Sequence, residues 1–197
     1  MAAVRGVIVT LPTHAELLAM VGPARAKWAH APRPVPEPVG PDEESVWDYP
    51  RPPLVRQGNE HLRVQHHALI VADTTSPVWV CETAGAPVPY LAPESLRAEL
   101  VPTDYVTLCE WKGAAVHYDL VTPAGRVVAA AYSYPDPLDD LGRGFSAIAG
   151  RFAFYPAKLA CFVNDERVRP QPGGYYGGWV TARIKGPIKG APGTGAW

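Results

Sequence analysis

The sequence predicts an all-β protein of antiparallel strands, with short helical turns and an N-terminal extension. From about residue 45, segments that alternate apolar and polar residues recur every ~8–12 residues, which is typical of antiparallel sheets. The 23 prolines, far above the usual share of ~5%, fall mostly between these segments and indicate rigid loops. No long helical period intervenes, so a parallel sheet with crossover helices is not expected.

Composition limits the class of function. A chain of 197 residues with 47% hydrophobic residues fits one domain with extensions. The net charge of −1 and the scattered basic residues argue against a nucleic-acid partner. No apolar run approaches the ~20 residues of a membrane span, and the short apolar run before Pro12 is too brief for a secretory signal. We therefore expect a cytoplasmic protein without a membrane partner.

The N-terminal part, 1–44, is predicted to be a helix followed by a proline-rich extension. Thr13 and Glu16 form a capping-box pattern, and Gly22-Pro23 predicts the end of a helix over 13–21. The alternating prolines of 31–41 predict an extended, stiff segment that links or straps the domain.

The region 45–170 is predicted to be the antiparallel β domain. Its first segment, 61–74, is either one half-buried strand or a hairpin that turns at His66-His67. A proline-initiated helical turn is expected over 93–100. The remaining predicted strands are 78–83, 105–111, 114–121, 126–134, 150–155 and 159–164. The tail, 171–197, is too rich in glycine and proline to predict a core element, and its aromatic residues are expected to pack it on the domain.

Several short motifs occur in one order along the chain. They are W-D-Y-P-R-P-P (47–53), E-T (82–83), C-E-W-K-G (109–113), S-Y-P-D-P (133–137), I-A-G-R-F-A-F-Y-P (148–156) and P-G-G-Y-Y-G-G-W-V-T (172–181). As an ordered set they resemble the domain-of-unknown-function-427 family, which also carries the label nucleotidyltransferase. The resemblance covers roughly 45–197.

The resemblance implies a compact β-tent-like domain in which two antiparallel sheets meet at an angle. Some β-tent relatives hold zinc through paired C-x-x-C motifs, and the three cysteines here form no such pair, so no zinc and no cofactor are expected. The chain departs from the family pattern at Glu110, where the family has proline, and at Tyr132, where it has tryptophan. Val128 and Ala129 stand where the family often has an acidic or amide residue.

The C-E-W-K-G motif supplies three candidate site residues. Lys112 at a tight turn is a candidate to bind an anion or to act as an amine nucleophile, with Trp111 beside it as a flat binding face. The structural alternative is a hairpin turn with an exposed lysine and a packing tryptophan. Cys109 is a candidate nucleophile if a cation lowers the pKa of its thiol, although free cysteines are more often buried and inert.

Glu82 is the candidate acid/base residue. By strand alternation it lies on the inner face with Val78 and Val80, where a carboxylate must be paired or protonated. The alternative is a structural ion pair. Tyr90, Tyr118, Tyr132 and Tyr134 are candidates to line a cleft with Trp111, against the alternative of an aromatic core. His117 is a candidate catalytic residue, against the commoner alternative of a surface or satisfied histidine on a strand.

Nucleotidyltransfer is not favoured by the sequence. It needs carboxylates that hold magnesium and a glycine-rich phosphate turn, whereas Asp136, Asp139 and Asp140 lie in a proline-rich loop without such a turn. The sequence instead predicts an enzyme acting on a small organic molecule in specialised or biosynthetic metabolism. A non-catalytic small-molecule binding module and a protein-interaction domain that presents 31–41 stay open. A monomer or small homo-oligomer without disulfide links is expected.

Overall fold

A computed structural model describes residues 9–28 and 31–197. The apolar run at the N-terminus lies partly outside these residues, which include its end from Val9 to Leu11. The described chain contains one α-helix, α1 (His14–Trp28), and two short 3₁₀ turns, Pro93–Ser95 and Phe145–Ile148. The strands are β1 (Glu44–Ser45), β2 (Leu54–Gln57), β3 (Leu62–His66), β4 (Leu69–Thr74), β5 (Val78–Cys81), β6 (Val88–Tyr90), β7 (Glu99–Cys109), β8 (Gly113–Thr122), β9 (Gly125–Ser133), β10 (Phe152–Phe154), β11 (Ala160–Val163), β12 (Glu166–Arg167), β13 (Arg169–Pro170), β14 (Trp179–Val180) and β15 (Ile184–Lys185).

The predicted all-β class is confirmed. The strands form two four-stranded sheets, β10-β9-β8-β7 and β12-β11-β3-β4, a three-stranded sheet, β2-β5-β6, and the pairs β13-β14 and β1-β15. All pairings are antiparallel except β1 with β15. A bridge between Leu91 and Phe152 joins the three-stranded sheet to β10. The strands are thus distributed over more sheets than the two of a β-tent, and the β-tent-like arrangement stays a prediction.

The capping box of α1 is present as predicted, and the predicted end of the helix is wrong. The Glu16 carboxylate accepts the Thr13 amide proton at 2.8 Å, and the Thr13 hydroxyl accepts the Glu16 amide proton at 3.3 Å. The helix nevertheless continues past Pro23 to Trp28. Contacts made beyond the proline, such as the bidentate pair of Arg25 with Asp140 at 2.6 and 2.9 Å, hold this second half in place.

The predicted strands appear with shifted ends. The segment 61–74 is the hairpin β3-β4, which turns at His67 with a φ of 53°. The helical turn predicted over 93–100 is confined to Pro93–Ser95, because Glu99 already pairs with Val121 at the start of β7. A local propensity for a helical turn is overridden there by the long hairpin of β7 with β8.

The tail contributes to the core, contrary to the sequence-based prediction. Trp179 is 1% exposed, and its indole nitrogen donates to the Phe154 carbonyl at 3.1 Å. The proline segment 31–41 has neither helix nor strand, as predicted, and Glu37 ties it to the tail through a backbone hydrogen bond to Gly186 at 2.8 Å. Two segments distant in sequence therefore close over the same side of the domain.

Candidate functional site

A cavity of about 370 Å³ lies between the three-stranded sheet and the sheet that contains β7, β8 and β9. Its walls come from β5 and β6 on one side and from β7, β8 and β9 on the other, with further residues from α1 and the tail. The volume is within the range of ~300–1,000 Å³ that is usual for small-molecule sites. The cavity is therefore the candidate functional site.

Glu82 lies in the cavity wall directly after β5, as its alternation with Val80 predicts. Its carboxylate accepts the Trp111 indole proton at 3.2 Å and lies 3.6 Å from Nε of Arg51. Burial raises the pKa of the Glu82 carboxyl above its ordinary value, against the opposing positive charge of Lys112. A raised carboxyl pKa favours the protonated form, which is the direction expected of a catalytic acid.

Lys112 is buried rather than exposed, because the turn after β7 folds its side chain against the cavity. Only 7% of the residue is exposed, and the ammonium lies 5.7 Å from the centre of the Tyr134 ring. Burial works to lower the pKa of Lys112, but Cys109 in its ionised form and Glu82 raise it, and the net pKa stands above its ordinary value. Lys112 therefore presents a positive charge in the cavity wall.

Cys109 also lines the cavity, at the end of β7. Burial raises the pKa of its thiol, and the charge of Lys112 only partly opposes this effect. The thiol therefore stays protonated at neutral pH, which does not favour a nucleophilic role. Cys81 and Cys161 are buried, and all three cysteines are free.

Three of the predicted tyrosines meet in the cavity wall. The rings of Tyr90, Tyr132 and Tyr134 lie 6.1–6.2 Å apart, centre to centre, in edge-to-face and tilted arrangements. Such contacts are favourable beyond simple burial and hold the rings in fixed orientations. Burial raises the pKa of each phenol well above its ordinary value, so the hydroxyls stay neutral donors.

Two predicted site residues do not line the cavity. Trp111 packs behind the wall, where it donates to Glu82 and lies under the Arg25 guanidinium, 5.6 Å from the ring centre. Tyr118 points into the main core, where its ring meets Phe152 edge-on at 5.0 Å. Alternation explains this placement, since Tyr118 shares a face of β8 with core residues and its neighbour His117 occupies the other face.

His117 is a cavity residue that the sequence-based interpretation left out of the predicted cleft. It is 3% exposed, and Nε2 lies 2.9 Å from the Thr107 hydroxyl. Burial, together with the charge of Lys158, lowers the pKa of His117 to about 4, so the imidazole is neutral at physiological pH. Tyr105 and Tyr155 flank its ring with centres 4.2 and 6.2 Å away. The sequence signal that could have placed it is strand alternation, because a core-facing Tyr118 puts His117 on the opposite face of β8.

One side of the cavity is closed by α1 and the tail. Trp28, the last residue of α1, lines the cavity with its ring centre 4.7 Å from the Arg51 guanidinium and 3.9 Å from the Lys189 ammonium. Tyr175 and Tyr176 of the tail line the same cavity. The sequence predicts α1 as part of an extension and the tail as packed on the domain, but nothing local in either segment indicates that it docks at the cavity.

Comparison with known families identifies the domain. A family model described as a domain of unknown function (DUF427) matches residues 54–165, more than half of the chain. The chain belongs to the DUF427 family. The match is shorter than the region 45–197 over which the motifs resemble the family, and no curated protein matches the chain.

The DUF427 match contains the inner wall of the cavity but not its closing side. Glu82, Lys112 and the three tyrosines fall within 54–165, whereas Trp28 and the tail residues fall outside it. The closing side is thus built by parts of this chain beyond the matched family region.

The aspartates of the proline-rich loop are engaged elsewhere. Asp140 pairs with Arg25, Asp136 lies 3.1 Å from His14, and Asp139 accepts the backbone amides of Arg143 and Gly144. Over the residues the structure describes, no three His, Cys, Asp or Glu side chains cluster in a way that fits a metal ion. Within the same residues, no helix is long and apolar enough to cross a bilayer.

Proposed function

We propose that this DUF427 protein is an enzyme that acts on a small organic molecule bound in the cavity. Glu82 transfers a proton, and the Lys112 ammonium holds an anionic group of the substrate. The observation that carries this proposal is that the half-buried Glu82 and the buried Lys112 lie in one cavity wall, with the carboxyl pKa raised by desolvation. Perturbed titratable groups in a cavity are typical of catalytic sites.

The lysine has the surroundings of an anion-binding group. No carboxylate of the described residues lies within the 4.0 Å of an ion pair with Lys112, although the residue is 7% exposed. Glu82 is instead held by Trp111 and Arg51. A buried cation without a direct counter-ion is stabilised by an anionic ligand, since a buried charge needs a partner.

The tyrosines Tyr90, Tyr132 and Tyr134 would bind the planar or apolar body of the substrate through their ring faces. Their neutral hydroxyls are donors for its polar groups. Trp111 acts behind the wall by holding the Glu82 carboxylate, and we assign no covalent step to Cys109 because its thiol is protonated. Tyr118 has a core role.

A non-catalytic binding module is the second candidate, because the tyrosine cluster by itself would also bind a ligand. Glu82 and Lys112 favour the enzyme, because a purely aromatic cage would have neither a carboxyl with a raised pKa nor a buried ammonium. The third candidate, a protein-interaction domain using 31–41, is weakened because Glu37 ties that segment to Gly186. The nucleotidyltransferase hypothesis is weakened because the carboxylates of Asp136, Asp139 and Asp140 make other contacts.

We also propose that residues 45–170 form the β domain, with 1–44 as an N-terminal extension and 171–197 as a tail packed on it. The extension and the tail then serve the cavity rather than a separate activity. Support comes from Trp28 and Tyr176, which line the same cavity as Glu82.

A thermal-shift screen of metabolites, followed by turnover assays, tests the function. Lys112→Met should abolish stabilisation by anionic ligands, whereas Lys185→Met, outside the cavity, should keep it.

Glu82→Gln should bind the same ligand and lower the turnover rate by ~10²–10⁴, whereas the matched control Glu94→Gln should keep the wild-type rate. Equal stabilisation of wild type and Lys112→Met would rule out this site, and binding without turnover by wild type would favour the binding module.

A further inference from the structure

We propose that His117 forms a second polar subsite in the cavity, where its Nδ1 atom forms a hydrogen bond with a neutral hydroxyl or carbonyl group of the substrate. The substrate would then be an elongated planar anion with its charged group at Lys112 and its neutral polar group at His117. The substrate class rests on the proposed function, but the His117 contact is tested separately below.

The first support is an unused polar atom. Within the part of the chain that the structure describes, the buried Nδ1 atom of His117 has no hydrogen-bond partner, although the residue lines the cavity. Its other nitrogen, Nε2, is already engaged by the Thr107 hydroxyl at 2.9 Å. Buried polar atoms nearly always have a partner, and an exception next to a cavity is explained by a ligand group that supplies one.

The second support is the set of rings around His117, which favours a flat ligand. Tyr105 stacks on the imidazole at 4.2 Å and 30°, and Tyr155 lies nearly parallel to it at 6.2 Å and 11°. Tyr132 continues the series, 5.8 Å from His117 and 5.2 Å from Tyr155. Tyr132 also contacts Tyr90 and Tyr134, so aromatic rings connect the His117 end to the Lys112 end.

The charge around His117 indicates a neutral partner group. The imidazole is neutral, since burial and the charge of Lys158 lower its pKa to about 4. The Lys158 ammonium is held by the carbonyls of Val128 and Ala129, both at 2.9 Å, and lies 5.3 Å from the Tyr155 ring centre. A neutral imidazole can accept from a hydroxyl or, in its other tautomer, donate to a carbonyl.

The distance along β8 sets the length of the ligand. Lys112 precedes β8 directly, and His117 is five residues further along, so their backbones are at most roughly 16 Å apart at ~3.3 Å per residue. The Lys112 ammonium lies beside the Tyr134 ring, and the rings of Tyr134, Tyr132 and His117 follow one another at centre-to-centre distances of 6.1 and 5.8 Å. A ligand that reaches both groups must therefore be elongated, as a hydroxycinnamate is and a small hydroxy acid is not.

The test uses 4-hydroxycinnamate and cinnamate, which differ only in the neutral hydroxyl. In calorimetric titration, wild-type protein should bind 4-hydroxycinnamate about tenfold more tightly than cinnamate, which is the contribution of one good hydrogen bond. His117→Phe keeps a flat ring and should reduce this ratio to about one. His61→Phe, a histidine outside the cavity, should leave the ratio unchanged. The ¹⁵N shift of Nδ1 in wild type should move with 4-hydroxycinnamate and not with cinnamate.

The outcomes separate this subsite from the proposed function. Lys112→Met should weaken both acids equally and keep the hydroxyl ratio. If Lys112→Met binds both acids like wild type while the ratio still depends on His117, the subsite stands and the proposed role of Lys112 fails. A ratio near one in wild type, a ratio that survives His117→Phe, or no binding of either acid would overturn the subsite.

Discussion

At the scale of single residues, the cavity contains groups whose pKa values differ from those in water. Glu82 is biased toward its neutral form by burial, His117 is kept neutral, and Lys112 is kept charged. None of these states follows from residue type alone. Sequence alternation predicts Glu82 on the inner face, but it does not predict that Lys112 is buried or that Nδ1 of His117 has no partner among the described residues.

The neutral state of His117 makes stability depend on pH. Its pKa is about 4 in the folded protein and ~6.5 in an unfolded chain, so the unfolded state binds more protons between these values. Its contribution is complete above pH ~6.5 and is lost as the pH falls toward 4.

When the pH falls from 6.5 to 4, the free energy of unfolding should therefore decrease by about 2 kcal/mol more in wild type than in His117→Phe, allowing for solvent screening. Urea unfolding at several pH values measures this difference. Parallel stability curves for the two proteins would show that the imidazole does not titrate as described.

At the scale of secondary-structure elements, α1 links a local capping signal to the cavity. The Thr13–Glu16 capping box starts the helix, Leu17 and Val21 pack on Ala114 and Leu138, and the last turn carries Trp28 to the cavity. The start was predictable because a capping box is local. The end was not, because contacts distant in sequence, such as that of Arg25 with Asp140, extend the helix past Pro23.

Thr13→Ala removes the cap and should increase local opening of α1. We expect amide hydrogen exchange over 14–28 to become roughly fivefold faster, in line with the usual cost of losing a capping side chain. Thr10→Ala, an exposed threonine upstream of the helix, is the matched control. Unchanged exchange in Thr13→Ala would mean that tertiary contacts alone hold the helix start.

At the scale of the whole molecule, α1 and the tail close the cavity whose inner wall the β domain forms. The strands were predictable because alternation is local, and the hairpins of β7, β8 and β9 follow directly from it. The closing of the cavity by α1 and the tail was not predictable, because glycine-rich sequence carries no period that indicates where it docks. The burial of Trp179 is the clearest example.

Trp179→Ala should destabilise the protein by about 3–5 kcal/mol, because it leaves a cavity in the main core and removes a donor to the Phe154 carbonyl. Tyr175→Ala, in the same tail but 62% exposed, should change stability by less than ~0.5 kcal/mol. Denaturant unfolding measures both. Similar small effects would mean that the tail lies on the domain without contributing to its core.

The most direct test of the central claim is the titration of the Glu82 carboxyl itself. Carboxyl ¹³C NMR, with Glu82→Gln to assign the signal, should give a pKa above the ordinary value of ~4.3 for glutamate. In Lys112→Met the pKa should rise further, because the ammonium that favours the carboxylate is gone. A pKa at or below the ordinary value, unchanged in Lys112→Met, would contradict the account of Glu82 as a proton-transferring residue beside a buried cation.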